Sequence, residues 1–483
     1  MSLNVLLGMP IREGHNYQVS PDLGILYLGT VLQNHGHSVT LLDCPKENLT
    51  FSGYKKFLEE HRFDVVGFRC YSRDHNYVNH HLSIAKQVNP GTLTLVGGPH
   101  PSALPEFALR TMPNLDFAWK AEAEEGLPLL LSQFEEYGLK IPADFLSRVP
   151  GLAWRNGGDF IVNDPSFGVD LDSYGIPAWE LLKPDTYPGF IWDEYYPILT
   201  TRGCPYPCTY CNTPGLSGRK LRHRSVAHVI EELVLLKRRY NTHRFSIIDD
   251  EFTLDKKYAT AFCEALIAAD LRYKWDCPVG VRLDSLYPEL LRLMEAAGCE
   301  SLAVGIESGN DRIQKLIQKR VTVAKIREKA EMIAGCSNIK ITGYFMIGFL
   351  DEHEEEIWDT IRLACGLPLV RANFNIVIPI PGTAIFDEAL REGKLVLDDI
   401  NWDDCTSDQI AFNRNHVTGE RLVRLQQWAY LKFYGRPKII RELAKDSLDN
   451  PEIVKASVRK LKMLFGREDR QTFTPMYLRD AVV

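Results

Sequence analysis

Residues 200–211 read Thr200-Thr201-Arg202-Gly203-Cys204-Pro205-Tyr206-Pro207-Cys208-Thr209-Tyr210-Cys211. Three cysteines in a C-x3-C-x2-C pattern place three thiolates on one tight loop. Thiolates at this spacing suit three corners of a cubane iron–sulfur cluster, and they leave the fourth iron without a protein ligand. Because an iron with an open position can bind a second molecule, this loop predicts a reaction site.

Two other uses of these cysteines are disfavoured. A structural zinc site normally closes with four ligands, and no second C-x2-C or histidine pair follows within the usual distance. The chain has 11 cysteines, and the eight outside the loop are scattered singly, mostly in apolar runs, which does not indicate disulfides. We interpret these eight as reduced core or loop residues: Cys44, Cys70, Cys263, Cys277, Cys299, Cys336, Cys365 and Cys405.

Composition narrows the class of protein. The chain has 483 residues, of which 45% are hydrophobic and 25% charged, which is typical of a globular protein of two or three domains. A net charge of −7 without a long basic tract disfavours a nucleic-acid partner. The densest basic run, Arg219 to Arg224, directly follows the cysteine loop and is expected to line a site. No apolar stretch of about 18 residues and no basic leader is present, so we expect a cytoplasmic protein without a membrane span.

The hydrophobic pattern predicts an α/β protein with several parts. Over residues 1–149, short apolar runs alternate with helix-length segments, and this predicts a doubly wound, Rossmann-like parallel sheet. Residues 150–195 read as a connector that contains a hairpin around Asn156-Gly157. Residues 196–390 contain six strand–helix units, among them a predicted helix over 226–240 and a predicted strand over 274–281. These units suit a partial (β/α)6 barrel with chemistry at the carboxyl ends of its strands. Residues 391–483 are predicted to be a helical C-terminal region, with packing residues at Trp402, Trp428, Tyr430 and Phe433.

Two further motifs follow predicted barrel strands. Asp249, Asp250 and Glu251 end the second strand, where a solvated turn would also explain three carboxylates. Gly305-Ile306-Glu307-Ser308-Gly309 follows the fourth strand, where glycines permit close backbone approach and Glu307 can accept hydrogen bonds. A helix start capped by Ser308 is the structural alternative.

The cysteine loop and these motifs, over roughly residues 196–390, resemble the radical S-adenosylmethionine (SAM) enzymes. The resemblance implies a 4Fe-4S cluster held by Cys204, Cys208 and Cys211, whose free iron chelates SAM. Tyr210 would lie beside the adenine, and one of the three carboxylates would receive the SAM ammonium, although the pattern does not select which. Glu307 and Ser308 would contact the ribose or methionine part. Arg282 would balance cosubstrate charge or form an ordinary ion pair at a strand end.

The N-terminal region is similar to the cobalamin-binding domain that is fused to many radical SAM enzymes. Gly97, Gly98 and His100, in Gly97-Gly98-Pro99-His100, carry part of this resemblance, with His100 either a cobalamin contact or a hydrogen-bonding loop residue. A run that contains Glu122 and Glu124 stands where that family usually has a Gly-Glu-containing turn. The Asp-x-His-x-x-Gly signature that supplies a lower cobalt ligand is missing, because Asp74-His75 has the wrong spacing. The resemblance then implies cobalamin without a histidine ligand, or a relic domain without a corrinoid.

The implied activity is cobalamin-dependent methyl transfer to an unactivated carbon of a small-molecule or natural-product substrate. One SAM would methylate cobalamin, and another would supply a 5′-deoxyadenosyl radical for hydrogen abstraction. An external low-potential electron donor of the flavodoxin or ferredoxin type is implied as a partner. The alternatives are a cobalamin-independent dehydratase and a cyclase. A non-catalytic electron carrier would need a fourth cysteine near the loop, and a tRNA methylthiolase would need a second cysteine trio.

Overall fold

The computed structural model describes residues 2–12, 20–187, 196–404 and 416–449, without the side chains of 446–449. Cys405 and most of the predicted C-terminal helical tail lie outside these residues. Helices begin where the sequence supplies caps. Ser225 accepts a hydrogen bond from the backbone N–H of His228 at the start of one long helix, and Asp255 caps the next. The first of these helices ends at Asn241 in a left-handed conformation, after three basic residues.

The N-terminal sheet has seven strands in the order β2-β1-β3-β4-β5-β6-β7. Strands β1 to β5 are parallel, as predicted, and helices connect them. The strands are β1 (Asn4–Met9), β2 (Ser38–Asp43), β3 (Val65–Arg69), β4 (Leu93–Gly97), β5 (Phe117–Trp119), β6 (Leu152–Asn156) and β7 (Asp159–Val162). The helices are α1 (Leu23–Asn34), α2 (Phe51–Glu60), α3 (His75–Val88), α4 (Pro99–Ala103), α5 (Pro105–Thr111), α6 (Gly126–Tyr137), α7 (Ala143–Leu146) and α8 (Trp179–Leu182).

The predicted hairpin is present as β6 and β7, but its position differs from the prediction. It was expected to belong to a connector, whereas β6 pairs antiparallel with β5 and extends the N-terminal sheet. The pairing buries Leu152, Ala153 and Trp154, because the alternate residues of β6 continue the two faces of the sheet.

The second unit is a six-stranded parallel sheet in the order β15-β14-β13-β12-β11-β8, which matches the predicted partial barrel. A two-stranded antiparallel ribbon, β9 with β10, precedes the second barrel strand. The strands are β8 (Pro197–Ile198), β9 (Thr201–Arg202), β10 (Arg222–His223), β11 (Arg244–Ile247), β12 (Lys274–Val281), β13 (Cys299–Glu307), β14 (Lys340–Ile347) and β15 (Arg371–Ile376). The helices are α9 (Thr213–Ser217), α10 (Val226–Tyr240), α11 (Lys256–Ala268), α12 (Pro288–Ala296), α13 (Asp311–Leu316), α14 (Val323–Cys336), α15 (Glu354–Gly366) and α16 (Ala384–Arg391).

The C-terminal region closes the open edge of the barrel. Helix α17 (Gly419–Tyr434) packs against β15, and α18 (Pro437–Asp449) follows it. Tyr430 and Phe433 are buried there, as predicted, but Trp428 is 50% exposed, so its predicted packing role is wrong. One apolar core runs from a face of the N-terminal sheet through the barrel to α17. Within the described ranges, no helix combines the length and apolar character needed to cross a bilayer.

Candidate active site

The cysteine loop connects β9 to α9 and is held in place by backbone contacts. Cys204 N–H donates to the carbonyl of Gly218 at 3.1 Å, and Cys211 N–H donates to Cys208 O at 3.2 Å. Gly203 has φ +92°, and a Cβ there would overlap the carbonyl oxygen of Lys220. The loop therefore requires glycine at the position before its first cysteine.

All three thiols are free and half-buried, which suits a bound cluster. Burial raises the pKa of Cys204 to about 12 and also raises the pKa of Cys211. Among the described residues, no three His, Cys, Asp or Glu side chains converge on a single metal ion. Convergence is not needed for a cubane, because each thiolate binds a different iron. Three soft thiol donors from one loop fit a 4Fe-4S cluster.

Asp249, the first of the three carboxylates after β11, has both of its carboxylate oxygens hydrogen-bonded within the protein. It accepts hydrogen bonds from the backbone N–H of Thr200 at 2.7 Å and from the hydroxyls of Thr200 and Thr201. Only 2% of the residue is exposed, and burial raises its pKa to about 7. Asp249 thus ties the end of β11 to the chain that enters the cysteine loop.

Glu251 and Asp250 differ in accessibility. Glu251 is 2% exposed and accepts from the hydroxyl of Thr253 at 2.9 Å and from the backbone N–H of Arg282 at 3.0 Å. Asp250 is half-buried and accepts from the hydroxyl of Thr213 at 2.9 Å. Thr213 also accepts a 3.3 Å hydrogen bond from the Cys211 thiol. Thr213 therefore links Asp250 to the cysteine loop. Asp250 is the most accessible of the three carboxylates.

Tyr210, Glu307 and Lys319 form a polar triad in which Glu307 and Lys319 are buried and Tyr210 is half-buried. Lys319 Nζ donates to Glu307 Oε1 at 2.9 Å and to the Tyr210 hydroxyl at 3.1 Å, and that hydroxyl donates to Glu307 Oε1 at 3.1 Å. Glu307 has φ +63° at an irregularity in the pairing of β13 with β14. A left-handed conformation at a non-glycine residue is strained, which often marks a functional site. Sequence reasoning missed Lys319.

Ser308 is buried, and its hydroxyl faces the interior. Asn310 N–H donates to it at 3.2 Å, and Thr360 Oγ1 lies 3.3 Å away. The alternative reading of Ser308 as a helix cap is wrong, because Asn310 caps α13 through hydrogen bonds from Arg312 and Ile313. A contact between Ser308 and a cosubstrate stays a prediction.

Arg282 forms the ion pair that was one of its two predicted roles, and its role in balancing cosubstrate charge stays a prediction. Its Nε and Nη2 donate to the carboxylate of Asp284 at 2.9 and 3.0 Å, and Nη2 also donates to Lys319 O at 2.8 Å. The guanidinium lies 3.8 Å from the ring centroid of Tyr206, inside the cysteine loop. An arginine with these contacts braces the loop and adds positive charge beside it.

The glycine turn after β4 lies at the carboxyl edge of the N-terminal sheet. Gly97 and Gly98 are half-buried, and Gly98 has φ +97°. A backbone without side chains at this edge fits the close approach of a flat ring. His100 is buried, with Nε2 3.0 Å from His75 Nδ1 and Nδ1 3.1 Å from Ser72 Oγ. Both ring nitrogens of His100 therefore have protein partners, and its contact with a corrinoid stays a prediction.

Two buried ion pairs join the N-terminal sheet to the cysteine loop. Glu122, just after β5, accepts from both Nη atoms of Arg222 at 2.9 and 2.5 Å. Glu124 accepts from Arg202 Nη1 at 2.7 Å. We call these four residues the domain junction. Beside it α4 packs against α9, so the glycine turn and the cysteine loop are brought together.

The domain junction overturns one sequence interpretation. The basic run from Arg219 to Arg224 was expected to line a site, but Arg222 and Arg224 are buried in ion pairs. Arg224 pairs with Glu232 on α10, and only 1% of each of these two side chains is exposed. Alternation along β10 turns these two arginines inward.

Comparison with known proteins agrees with this architecture. Residues 198–364 match the radical SAM superfamily, and residues 14–131 match the B12 binding domain. An uncharacterized methyltransferase of Pyrococcus horikoshii is 29% identical over 473 residues, covering 96% of this chain and 99% of that protein. The cytidylyl-2-hydroxyethylphosphonate methyltransferase of Streptomyces wedmorensis is 28% identical, with 77% of this chain and 78% of the relative covered.

A solved structure shares the fold. The cobalamin-dependent SAM radical enzyme OxsB, with aqua-cobalamin and SAM bound, superposes with a TM-score of 0.74 at 17% identity, covering 96% of this chain and 72% of OxsB. The two matched domains imply a 4Fe-4S cluster, SAM and cobalamin as cofactors, and the thiol set and the glycine edge fit these groups. The chain is a radical SAM enzyme and belongs to the group that carries a B12 binding domain before the radical SAM domain.

Proposed function

We propose that this enzyme transfers a methyl group to an unactivated carbon of a small molecule or natural product, after hydrogen abstraction by a 5′-deoxyadenosyl radical. The observation that carries the proposal is the contact of α4 with α9. It sets the glycine edge of the B12 binding domain directly beside the helix that follows Cys211. A short-lived carbon radical requires its methyl source within the same enclosed site. The two named methyltransferase relatives support the same reaction class.

The side chains divide the work of holding the cofactors. Cys204, Cys208 and Cys211 would hold the cluster, which supplies the electron for cleavage of SAM when bound. Asp250 would receive the SAM ammonium, because it is the accessible carboxylate beside the loop. Glu307 would accept the ribose hydroxyls.

Neighbouring groups would fix these contacts. Lys319 orients the Glu307 carboxylate by a 2.9 Å hydrogen bond. Tyr210 would lie beside the adenine, next to the apolar cluster that contains Phe349 and Ile313. Gly97 and Gly98 would lie under the corrin ring, which supplies the methyl group when bound.

The test uses protein reconstituted without oxygen in the presence of hydroxocobalamin. We expect about four irons per chain, retained corrinoid, and both deoxyadenosine and S-adenosylhomocysteine under a low-potential reductant. Replacing Cys204, Cys208 and Cys211 together with Ala should remove the iron and the deoxyadenosine. Deoxyadenosine without retained corrinoid would instead indicate a cobalamin-independent dehydratase or cyclase.

A pair of matched variants tests the carboxylate assignment. Asp250→Asn should weaken SAM binding at least tenfold while the protein stays folded, because it removes one charge-assisted hydrogen bond. Asp249→Asn should mainly lower stability, since its partners are Thr200 and Thr201. The reverse pattern would assign the ammonium contact to Asp249.

A further inference from the structure

Four exposed cations lie on the two flanks of the cysteine loop. Arg219 and Lys220 follow α9 on one flank, and Lys315 and Arg320 lie at and after the end of α13 on the other. We call these four residues the basic rim. Between the flanks, Pro205 is the exposed residue of the loop itself.

Backbone hydrogen bonds hold both flanks against the loop. Cys204 N–H donates to Gly218 O at 3.1 Å, directly before Arg219, and Thr209 N–H donates to Ile317 O at 3.1 Å, between Lys315 and Arg320. Each pair of cations is therefore within a few residues of a backbone hydrogen bond to the cysteine loop, at Cys204 on one flank and at Thr209 on the other.

The basic rim has no partner among the residues that the structure describes. In the described part of the chain, none of its four side chains makes a hydrogen bond, an ion pair or a ring contact, whereas Arg202, Arg222 and Arg282 nearby are all buried and paired. The whole chain carries a net charge of −7, so four unpaired cations around one loop form a local field of opposite sign. Such a field attracts an anionic partner.

The position of the rim favours an electron carrier over a substrate. The charged groups that would hold the cosubstrate, Asp250, Glu307 and Lys319, are buried or half-buried. The rim is outside that set and flanks Pro205, the exposed residue of the loop, so a carrier protein bound there would contact the loop that holds the cluster. Acidic carriers dock on such surfaces through charge complementarity.

We propose that the basic rim is the docking surface for an acidic one-electron carrier protein of the flavodoxin or ferredoxin class. This inference rests on the proposed radical SAM activity. For each SAM cleaved, the carrier would be oxidised by one electron. The bound cluster would supply that electron for cleavage of the carbon–sulfur bond, which gives methionine and the 5′-deoxyadenosyl radical.

The test compares two reductants on the reconstituted holoenzyme. Arg219→Glu/Lys220→Glu and Lys315→Glu/Arg320→Glu are assayed for deoxyadenosine with dithionite and with reduced flavodoxin. With flavodoxin we expect KM for the carrier to rise about tenfold or more at low salt. With dithionite the rate should be unchanged. In the unmutated enzyme KM for flavodoxin should also rise with salt, because exposed charges are screened.

A matched control separates local from overall charge. Lys55→Glu/Lys56→Glu on α2 makes the same change in net charge on an exposed helix of the N-terminal unit. An equal loss in this control, or no loss in the rim variants, would overturn the docking surface. A parallel loss with dithionite would assign the rim to an anionic substrate instead. No deoxyadenosine from the unmutated enzyme with either reductant would reject the proposed function itself.

Discussion

Breaking the domain junction at Arg222 should loosen the B12 binding domain from the cysteine loop. The Arg222 and Glu122 side chains are 3% and 9% exposed, and they share two hydrogen bonds. In Arg222→Met, Glu122 keeps only Arg202 at 3.6 Å, which leaves a largely uncompensated buried carboxylate. Removing one partner of a buried pair costs about 3–5 kcal/mol. Because Arg202 still compensates part of the Glu122 charge, we expect a cost near the lower end of that range.

A double-mutant cycle measures the interaction itself. Glu122→Gln together with Arg222→Met removes both charges, so we expect the pair to cost less than the sum of the single variants by about 2 kcal/mol. Anaerobic urea unfolding, followed by tryptophan fluorescence, gives the free energies of unfolding. Trp119 donates to the Glu122 carbonyl at 3.2 Å and reports on this region.

The control is Arg272→Met, because Arg272 also forms a two-bond pair with a carboxylate but on the surface. Its side chain and that of Asp270 are 82% and 72% exposed, so we expect no measurable change. In Arg222→Met we also expect more deoxyadenosine per methylated product, because the methyl source moves away from the barrel. Equal effects at Arg222 and Arg272, or strict additivity in the cycle, would refute the reasoning.

Three further predictions concern the loop, the triad and the B12 binding domain. Gly203→Ala should lower the iron content after reconstitution, because a Cβ at φ +92° overlaps a carbonyl of the loop. Lys319→Met should cost about 3–5 kcal/mol and weaken SAM binding, whereas Lys319→Met with Glu307→Gln should recover most of the stability; calorimetry on both variants checks this. Burial, with a smaller effect of the neighbouring His75, lowers the pKa of His100 to about 3. The neutral form therefore stabilises the fold fully above the unfolded pKa near 6.5, and this contribution falls with pH below it, by about 2 kcal/mol at pH 5. In His100→Gln the loss of unfolding free energy between pH 7 and pH 5 should be smaller by that amount. An unchanged dependence of the unfolding free energy on pH would contradict the conclusion that His100 is buried in its neutral form.

The elements that the sequence predicted best are those with local signals. Residues 274–281 and 226–240 form a strand and a helix with the predicted bounds, because apolar periodicity and end caps are written in adjacent residues. The spacing of the three cysteines was also sufficient to predict an iron–sulfur cluster. By contrast, the hairpin at 152–162 was recognised, but its pairing with β5 was not, because the choice of partner strand depends on the edge that tertiary folding leaves free.

The residues that were missed act through distant partners. Lys319 reaches Glu307 across 12 positions, after a helix end that includes left-handed residues at 318 and 320. Nothing in its immediate neighbours marks it. Glu122 and Glu124 were noted only as a variant of a family turn, whereas their partners at 202 and 222 lie in the other unit. A buried charge pair between distant segments has no local pattern, since each half resembles an ordinary surface charge.

These long-range contacts explain why the cysteine loop is central to both units. Arg202 on β9 and Arg222 on β10 lie opposite each other in the antiparallel ribbon. Each of them also forms an ion pair with a carboxylate of the B12 binding domain. The loop begins two residues after Arg202, and Asp249 holds the same segment to the barrel through Thr200. A shift of the B12 binding domain would therefore move the ribbon, and the cluster ligands with it. The described part of the connector adds to this link, because Thr30 of α1 donates to Ile176 O and Trp179 donates to Glu232 of α10. The ribbon and this segment therefore fix the position of the B12 binding domain relative to the cysteine loop together.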